Sequence, residues 1–269
     1  MLGGGKVHEL VASRSSIRIR RIDNMPNIFV LVKQVPDTNA KISISGDSVD
    51  LSTVKMVMSP YDEFALETAL LHREAAGGEV TALTVGGPGT EKILKDAKAM
   101  GVDKIVRVET SGEMDTNALQ TVLKQALTNL GAEVVYCGKS AADTGAGSTG
   151  PGVAARLGWA SASNVTSTNF EGGISVTTPG NGGDVKIKVP LPAVISCDKG
   201  NLKVRKANIK GIMQAKKATV DVHSIEAPPS TVIVVNQSLP PAKPAGKSYQ
   251  GGDAAAEVAQ LLRDEANLL

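Results

Sequence analysis

The stretch Glu79-Val80-Thr81-Ala82-Leu83-Thr84-Val85-Gly86-Gly87-Pro88-Gly89-Thr90 decides the fold. Aliphatic and β-branched residues run up to a glycine turn, and residues 91–100 follow with helical spacing until Gly101 stops them. A short apolar run that feeds through glycines into a helix is the unit of a parallel α/β sheet. The unit recurs: residues 133–137 read as a strand, 138–151 as a second glycine-rich turn, and a helix continues to Leu157. Working outward, residues 28–32 read as the first buried strand, 103–108 as another, and 115–130 as a helix.

The remaining segments fit around that frame. Ser59-Pro60-Tyr61-Asp62 opens a helix, with Ser59 as N-cap, Pro60 at the first helical position and Asp62 at capping-box spacing. Leu66 and Leu70 are four apart, and Phe64 and Leu71 seven apart, so one face is apolar until Gly77-Gly78 ends the helix. Residues 41–51 read as a hairpin turning at Gly46-Asp47. After Gly158, alternating segments at 164–170, 173–178 and 185–189 predict an antiparallel meander; 191–196 rejoins the core and 218–225 adds a strand. Pro228-Pro229, Pro240-Pro241 and Pro244 break the tail before a last helix at 253–267. The expected fold is α/β: a mostly parallel, Rossmann-like sheet with helices on both faces, a small meander and an extended C-terminal arm. Three regions follow: an extension at 1–24, the α/β domain at 25–225, and an arm at 226–269 suited to lying on a partner subunit.

Composition narrows the chemistry. The 269 residues are 42% apolar and 21% charged, with a formal net charge of +2, as in an ordinary soluble protein. Aromatics make up 3%, too few for a base-stacking surface, so nucleic acid is not an expected partner. No run approaches the roughly 18 apolar residues that read as a membrane span, so direct membrane insertion is not expected. Cys137 and Cys197 lie far apart and His8, His72 and His223 have no Cys beside them, which leaves little material for a disulfide framework or a metal site. Residues 1–24 alternate Arg14, Arg18, Arg20 and Arg21 with Ser and Ile. They read either as a targeting peptide or as a tail from an upstream start.

Residues 198–217 hold seven basic side chains (Lys199, Lys203, Arg205, Lys206, Lys210, Lys216 and Lys217) against the single acid Asp198. Ile209, Ile212 and Met213 form an aliphatic knob within them, and Gly211 is expected to interrupt any helix. A basic collar around such a knob, worth roughly 1.5–3 kcal/mol per side chain if buried, suits releasable docking to acidic protein surfaces. A solvated basic loop fits the composition as well.

Neither glycine loop matches a Walker A motif or Gly-x-Gly-x-x-Gly. What remains is a general phosphate cradle. Gly86, Gly87, Gly145, Gly147 and Gly150 allow close approach, Ser148 and Thr149 can offer hydroxyls, and Asp143 can accept from a ribose hydroxyl. Tight strand-to-helix turns alone would also account for the glycines. No nucleophile-and-base pair stands out, so bound nucleotide need not be turned over.

From about Met25 to the C-terminus the chain resembles the beta subunit of electron transfer flavoprotein. The matching pieces are Val32-Lys33-Gln34-Val35-Pro36-Asp37-Thr38, Ser59-Pro60-Tyr61-Asp62-Glu63-Phe64-Ala65-Leu66-Glu67, Gly87-Pro88 and Ala99-Met100-Gly101-Val102-Asp103-Lys104. Gly138-Lys139 through Thr149-Gly150-Pro151, Leu191-Pro192-Ala193-Val194-Ile195 and Gly211-Ile212-Met213-Gln214-Ala215-Lys216-Lys217 follow in order.

The resemblance implies a non-enzymatic carrier subunit in an αβ heterodimer, with FAD held mainly by the alpha subunit and AMP in this one. Electrons would come from acyl-CoA and related dehydrogenases, as in fatty acid oxidation, and pass to a quinone oxidoreductase. Carried over, the AMP pocket comprises Leu31, Ser59, Pro60, Tyr61, Asp62 and Gly86 with Gly138, Lys139, Ser140, Ala141, Ala142 and Asp143. Thr144, Gly145, Ala146, Gly147, Ser148 and Thr149 complete it. Ile209 falls at the family's aliphatic anchor, with Arg205, Lys216 and Lys217 at its basic flank. Three departures stand out: Ser59 where the family has Asn, Ser148 where it has Gln, and Ser140-Ala141-Ala142-Asp143-Thr144-Gly145 with one acid where two are usual. They keep an alternative open, a second FAD here and electron bifurcation; Thr149 before Gly150 matches the AMP-binding members. A stand-alone nucleotide module of the stress-protein type needs neither the meander, the basic segment nor the arm. The expected compartment is bacterial cytoplasm, or the mitochondrial matrix if residues 1–24 are a transit peptide.

Overall fold

The computed structural model describes residues 25–266 apart from 113 and 244. The extension at 1–24 and the last residue of the expected C-terminal helix lie outside the described residues. Among the described residues, fourteen strands and six α-helices follow in chain order. The first are β1 (Asn27–Leu31), β2 (Gln34–Pro36), β3 (Ser43–Ser45), β4 (Ser48–Asp50), β5 (Met56–Met58) and α1 (Pro60–Ala76). Then come β6 (Glu79–Val85), α2 (Glu91–Met100), β7 (Lys104–Glu109), α3 (Thr116–Asn129), β8 (Val134–Gly138) and α4 (Thr149–Leu157). The chain continues through β9 (Ala160–Val165), β10 (Ser167–Asn169), β11 (Ile174–Gly180), β12 (Gly183–Val189) and β13 (Ala193–Cys197). Last are α5 (Ile209–Lys217), β14 (Asp221–Ser224) and α6 (Ala255–Asp264).

Seven strands build one sheet in the order β14-β7-β6-β1-β8-β13-β9, and every pair is parallel. Alternation along β1 shows how it is buried on both faces. Ile28 and Val30 join Leu66 and Leu70 of α1 and Ile93 and Leu94 of α2, while Phe29 and Leu31 join Val122 and Leu127 of α3 and Val153 of α4. A parallel sheet covered on both sides needs such near-continuous apolar strands. From β1 the chain proceeds outward through β6 and β7, then returns to lay β8 on the other side of β1. That reversal leaves a crevice at the carboxyl ends of β1 and β8, the place where open α/β sheets bind ligands.

Several expectations are corrected. Residues 164–170 are two elements: β9, which begins at Ala160 and joins the main sheet beside β13, and β10, which pairs antiparallel with β11. Thr166 separates them, its N–H donating to Thr177 O at 2.9 Å. Gly211 does not interrupt a helix but lies inside α5. A Cβ there would stand 2.2 Å from the Ala99 carbonyl oxygen of α2, so glycine is what lets the two helices touch backbone to backbone. Asn208 caps α5 by accepting from Gly211 N at 2.8 Å. The capping box at α1 is also absent: Pro60 occupies the first helical position, but the Ser59 side chain makes no cap bond.

The arm after β14 is tied to the rest of the molecule at two places. Asp115 accepts from Ala118 N, capping α3, and from Thr231 N, Thr231 Oγ1 and Val232 N of the arm. These donors hold its carboxyl well below the usual carboxylate range. Further on, Gln237 N donates to Asp47 O at the β3–β4 turn. Between the two attachments Val232, Ile233, Val234 and Val235 are 69–80% exposed. No helix among the described residues is long and apolar enough to cross a membrane.

Candidate ligand cleft and docking helix

A cleft of about 300 Å³ opens at the strand reversal. Leu31, Val32 and Lys33 leave β1 on its wall, Leu83, Thr84 and Val85 end β6, and Cys137 and Gly138 end β8. Leu119 and Leu123 of α3 give an apolar side, and Lys139, Ser140, Ala141, Thr144, Ala146 and Gly147 form the loop side up to Thr149.

Asp62 holds the cleft together. Its two carboxylate oxygens accept from Lys33 N at 2.8 Å and Gly138 N at 3.0 Å, tying the exits of β1 and β8 to the first turn of α1. Burial pushes its carboxyl up to about 7, against those two donors and Lys33, which pull it down. Gly138 is required by the same contact, because a Cβ there would lie 2.5 Å from Asp62 Oδ1 and 2.8 Å from the Tyr61 carbonyl carbon. Burial also pushes the Cys137 thiol well up, so it lines the cleft as a neutral group. Both lysines at the rim are paired: Lys33 with Asp143 at 2.7 Å, and Lys139 with Asp198 at 2.9 Å while it sits 4.7 Å over the Tyr61 ring. The lining offers an apolar recess, hydroxyls and a glycine-rich loop, and no hydrogen-bonded nucleophile and base among the described residues.

Of the expected pocket residues, the structure brings Leu31, Asp62, Gly138, Lys139, Ser140, Ala141, Thr144, Ala146, Gly147 and Thr149 to this cleft. Ser59, Pro60, Tyr61, Gly86, Ala142, Asp143, Gly145 and Ser148 stand behind or beside it. Ser59 is fully buried and its hydroxyl accepts from Ala142 N at 3.3 Å. Gly86 N donates to Val108 O at 2.9 Å, and Ser148 O accepts from Gln120 Nε2 at 2.8 Å. Asp143 is turned to Lys33. Sequence reasoning missed Met114, Asp115, Thr116, Leu119 and Leu123, which line the cleft from the start of α3. The topology signals only that this helix, which follows a parallel strand, begins at the same sheet edge; no local feature marks its side chains as lining.

The basic segment is mounted differently. Arg205 is no free flank: its guanidinium bonds Glu67 Oε1 and Oε2 and Glu74 Oε1 at 2.7–2.8 Å, and its N–H donates to Glu67. It fastens the segment to α1. Ile209 is 80% exposed at the tip of α5, with Met213 at 57%, and Lys216 and Lys217 are exposed without an ion pair among the described residues.

Sheet and reversal define a Rossmann-like α/β protein with a cleft at the point where the strand order reverses. The family model for the electron transfer flavoprotein domain matches residues 48–228. The chain is 33% identical over 257 residues to an electron transfer flavoprotein subunit beta of Bacillus subtilis, covering 90% of this chain and 100% of that one. It is 31% identical over 249 residues to the corresponding subunit of Bradyrhizobium diazoefficiens, covering 90% and 99%. It is also 28% identical over 255 residues to the acryloyl-CoA reductase electron transfer subunit gamma of Anaerotignum propionicum, covering 84% and 93%. The chain belongs to the family of electron transfer flavoprotein beta subunits.

Proposed function

We propose that this chain is the beta subunit of a heterodimeric electron carrier, with AMP in the cleft at the strand reversal and FAD bound mainly by an alpha subunit. The observation that carries this reading is the cleft itself. About 300 Å³ lies at the lower end of the roughly 300–1,000 Å³ typical of ligand sites. Leu31, Leu83, Leu119 and Leu123 offer an apolar bed for a base, and the loop from Gly138 to Thr149 supplies hydroxyls and close backbone approach for a phosphate.

Bound FAD supplies one- and two-electron transfer. This chain's residues contribute assembly and docking. The exposed Val232–Val235 run, held at both ends by Asp115 and Asp47, is a strip for the alpha subunit to cover. Ile209 and its basic neighbours Lys216 and Lys217 dock acyl-CoA-type dehydrogenases, and electrons pass on to a quinone oxidoreductase. The small aliphatic anchor gives a weak contact and the lysines a fast, salt-sensitive encounter, as a carrier with several partners needs.

The test is to purify the heterodimer, denature it and quantify the released nucleotides by chromatography. One AMP and one FAD per heterodimer are expected. Two FAD and no AMP would place the protein with electron-bifurcating relatives instead.

A further inference from the structure

Beside the docking helix lies a second surface that leaves out Ile209 and shares Ile212 and Lys216 with the anchor segment. An open groove of about 770 Å³ runs between α2 and α5. Its floor is apolar, made by Val57, Met58, Met100, Val204, Ala207 and Ile212. Its rim carries Lys55, Lys92, Lys95, Lys206 and Lys216 against the two acids Glu63 and Asp96.

The walls are fixed before any partner arrives. α5 is seated on α2 through Gly211, and Arg205 clamps the preceding segment to Glu67 and Glu74. A preformed groove costs little ordering on binding. Its excess of lysines selects for negative charge, and its floor selects for aliphatic side chains. Ile209 points away as a knob, being 80% exposed at the start of the same helix, so the groove is a receptor where Ile209 is a plug.

We infer that the groove between α2 and α5 receives an acidic, aliphatic-bearing protein segment of the electron-donating dehydrogenase, so that docking is reciprocal. Ile209 enters the partner, and the partner enters the groove. This rests on the docking role proposed above. The far wall, Lys92 and Lys95 of α2, is where the two contacts separate, because neither residue belongs to the anchor segment.

The test uses the full heterodimer, reduced by an acyl-CoA dehydrogenase purified from the same source, with Lys92→Glu/Lys95→Glu, Lys92→Gln/Lys95→Gln and Ile209→Ala compared. The Glu pair is expected to raise KM for the dehydrogenase about tenfold at low salt and the Gln pair about threefold, both shrinking at high ionic strength, with nucleotide content unchanged. If Ile209→Ala slows reduction but both lysine pairs stay within about twofold of wild type, the groove is overturned and the anchor stands. If none of the three changes KM, the docking reading falls and the groove with it. Loss of bound nucleotide in both lysine pairs would make α2 structural and also overturn the inference.

Discussion

The strand-edge cleft and the basic helix each depend on one glycine, and the two glycines have opposite consequences. At Gly138 the missing side chain lets β8 approach the start of α1, and every polar group brought in finds a partner: Asp62 takes both N–H groups, and Ser59 takes a third. Among the described residues no buried side-chain polar atom lacks a hydrogen bond. At Gly211 the missing side chain seats α5 on α2, and the helix then lifts Ile209 and Met213 into solvent. Close backbone approach closes a cleft in one case and exposes an aliphatic knob in the other. Polar groups turned inward must be paired, whereas apolar groups turned outward await a partner.

That contrast can be broken first at its strongest point. Gly138→Val is expected to lose bound AMP and to cost about 2–3 kcal/mol of stability, because the added side chain meets the Asp62 carboxylate and the Tyr61 backbone. Chemical denaturation with nucleotide quantification measures both. Ile209→Ala should leave stability within about 0.5 kcal/mol, as expected of an exposed site, yet slow reduction by a dehydrogenase about tenfold. Stopped-flow kinetics beside a thermal melt reads the split.

Asp62 sharpens the comparison through pH. Its folded pKa stands above its unfolded one, so the folded state binds more protons between about pH 4 and pH 7. Stability should therefore fall as pH rises through that window. Asp62→Asn removes this slope, although its amide leaves one of the two N–H donors unpaired, a cost of about 1–3 kcal/mol. Denaturation midpoints at pH 4.5 to 7.5, wild type against variant, measure the difference. The smallest effect is expected from Lys216→Glu/Lys217→Glu, which should flatten the salt dependence of reduction with little change at high ionic strength.

What was legible in the sequence was what neighbouring residues decide. The run at 79–85, its glycine turn and the helix at 91–100 stand as read, and so does the hairpin at Gly46-Asp47. The illegible parts are long-range. β9 reads Ala-Ser-Ala-Ser-Asn-Val, with no apolar run to announce a strand, and pairs because β13 lies beside it. Local propensity puts a break at Gly211, and packing on Ala99 overrides it. Ser59 and Asp62 have capping spacing, but residues 76 and 83 positions further along the chain claim their side chains. Arg205 reads as one of seven basic residues, and only the fold shows that Glu67 and Glu74 bind it. Of the cleft, the loop side was legible from its glycines, and the α3 side was not, since nothing local marks Leu119 or Leu123 as lining.

The central claim is that the cleft holds AMP while the basic helix serves docking alone. The most direct measurement is the AMP and FAD content of purified heterodimers carrying Gly138→Val or Ile209→Ala. The account expects full AMP and FAD in Ile209→Ala, and FAD without AMP in Gly138→Val. Equal AMP in both variants, or loss of AMP from Ile209→Ala, would contradict it.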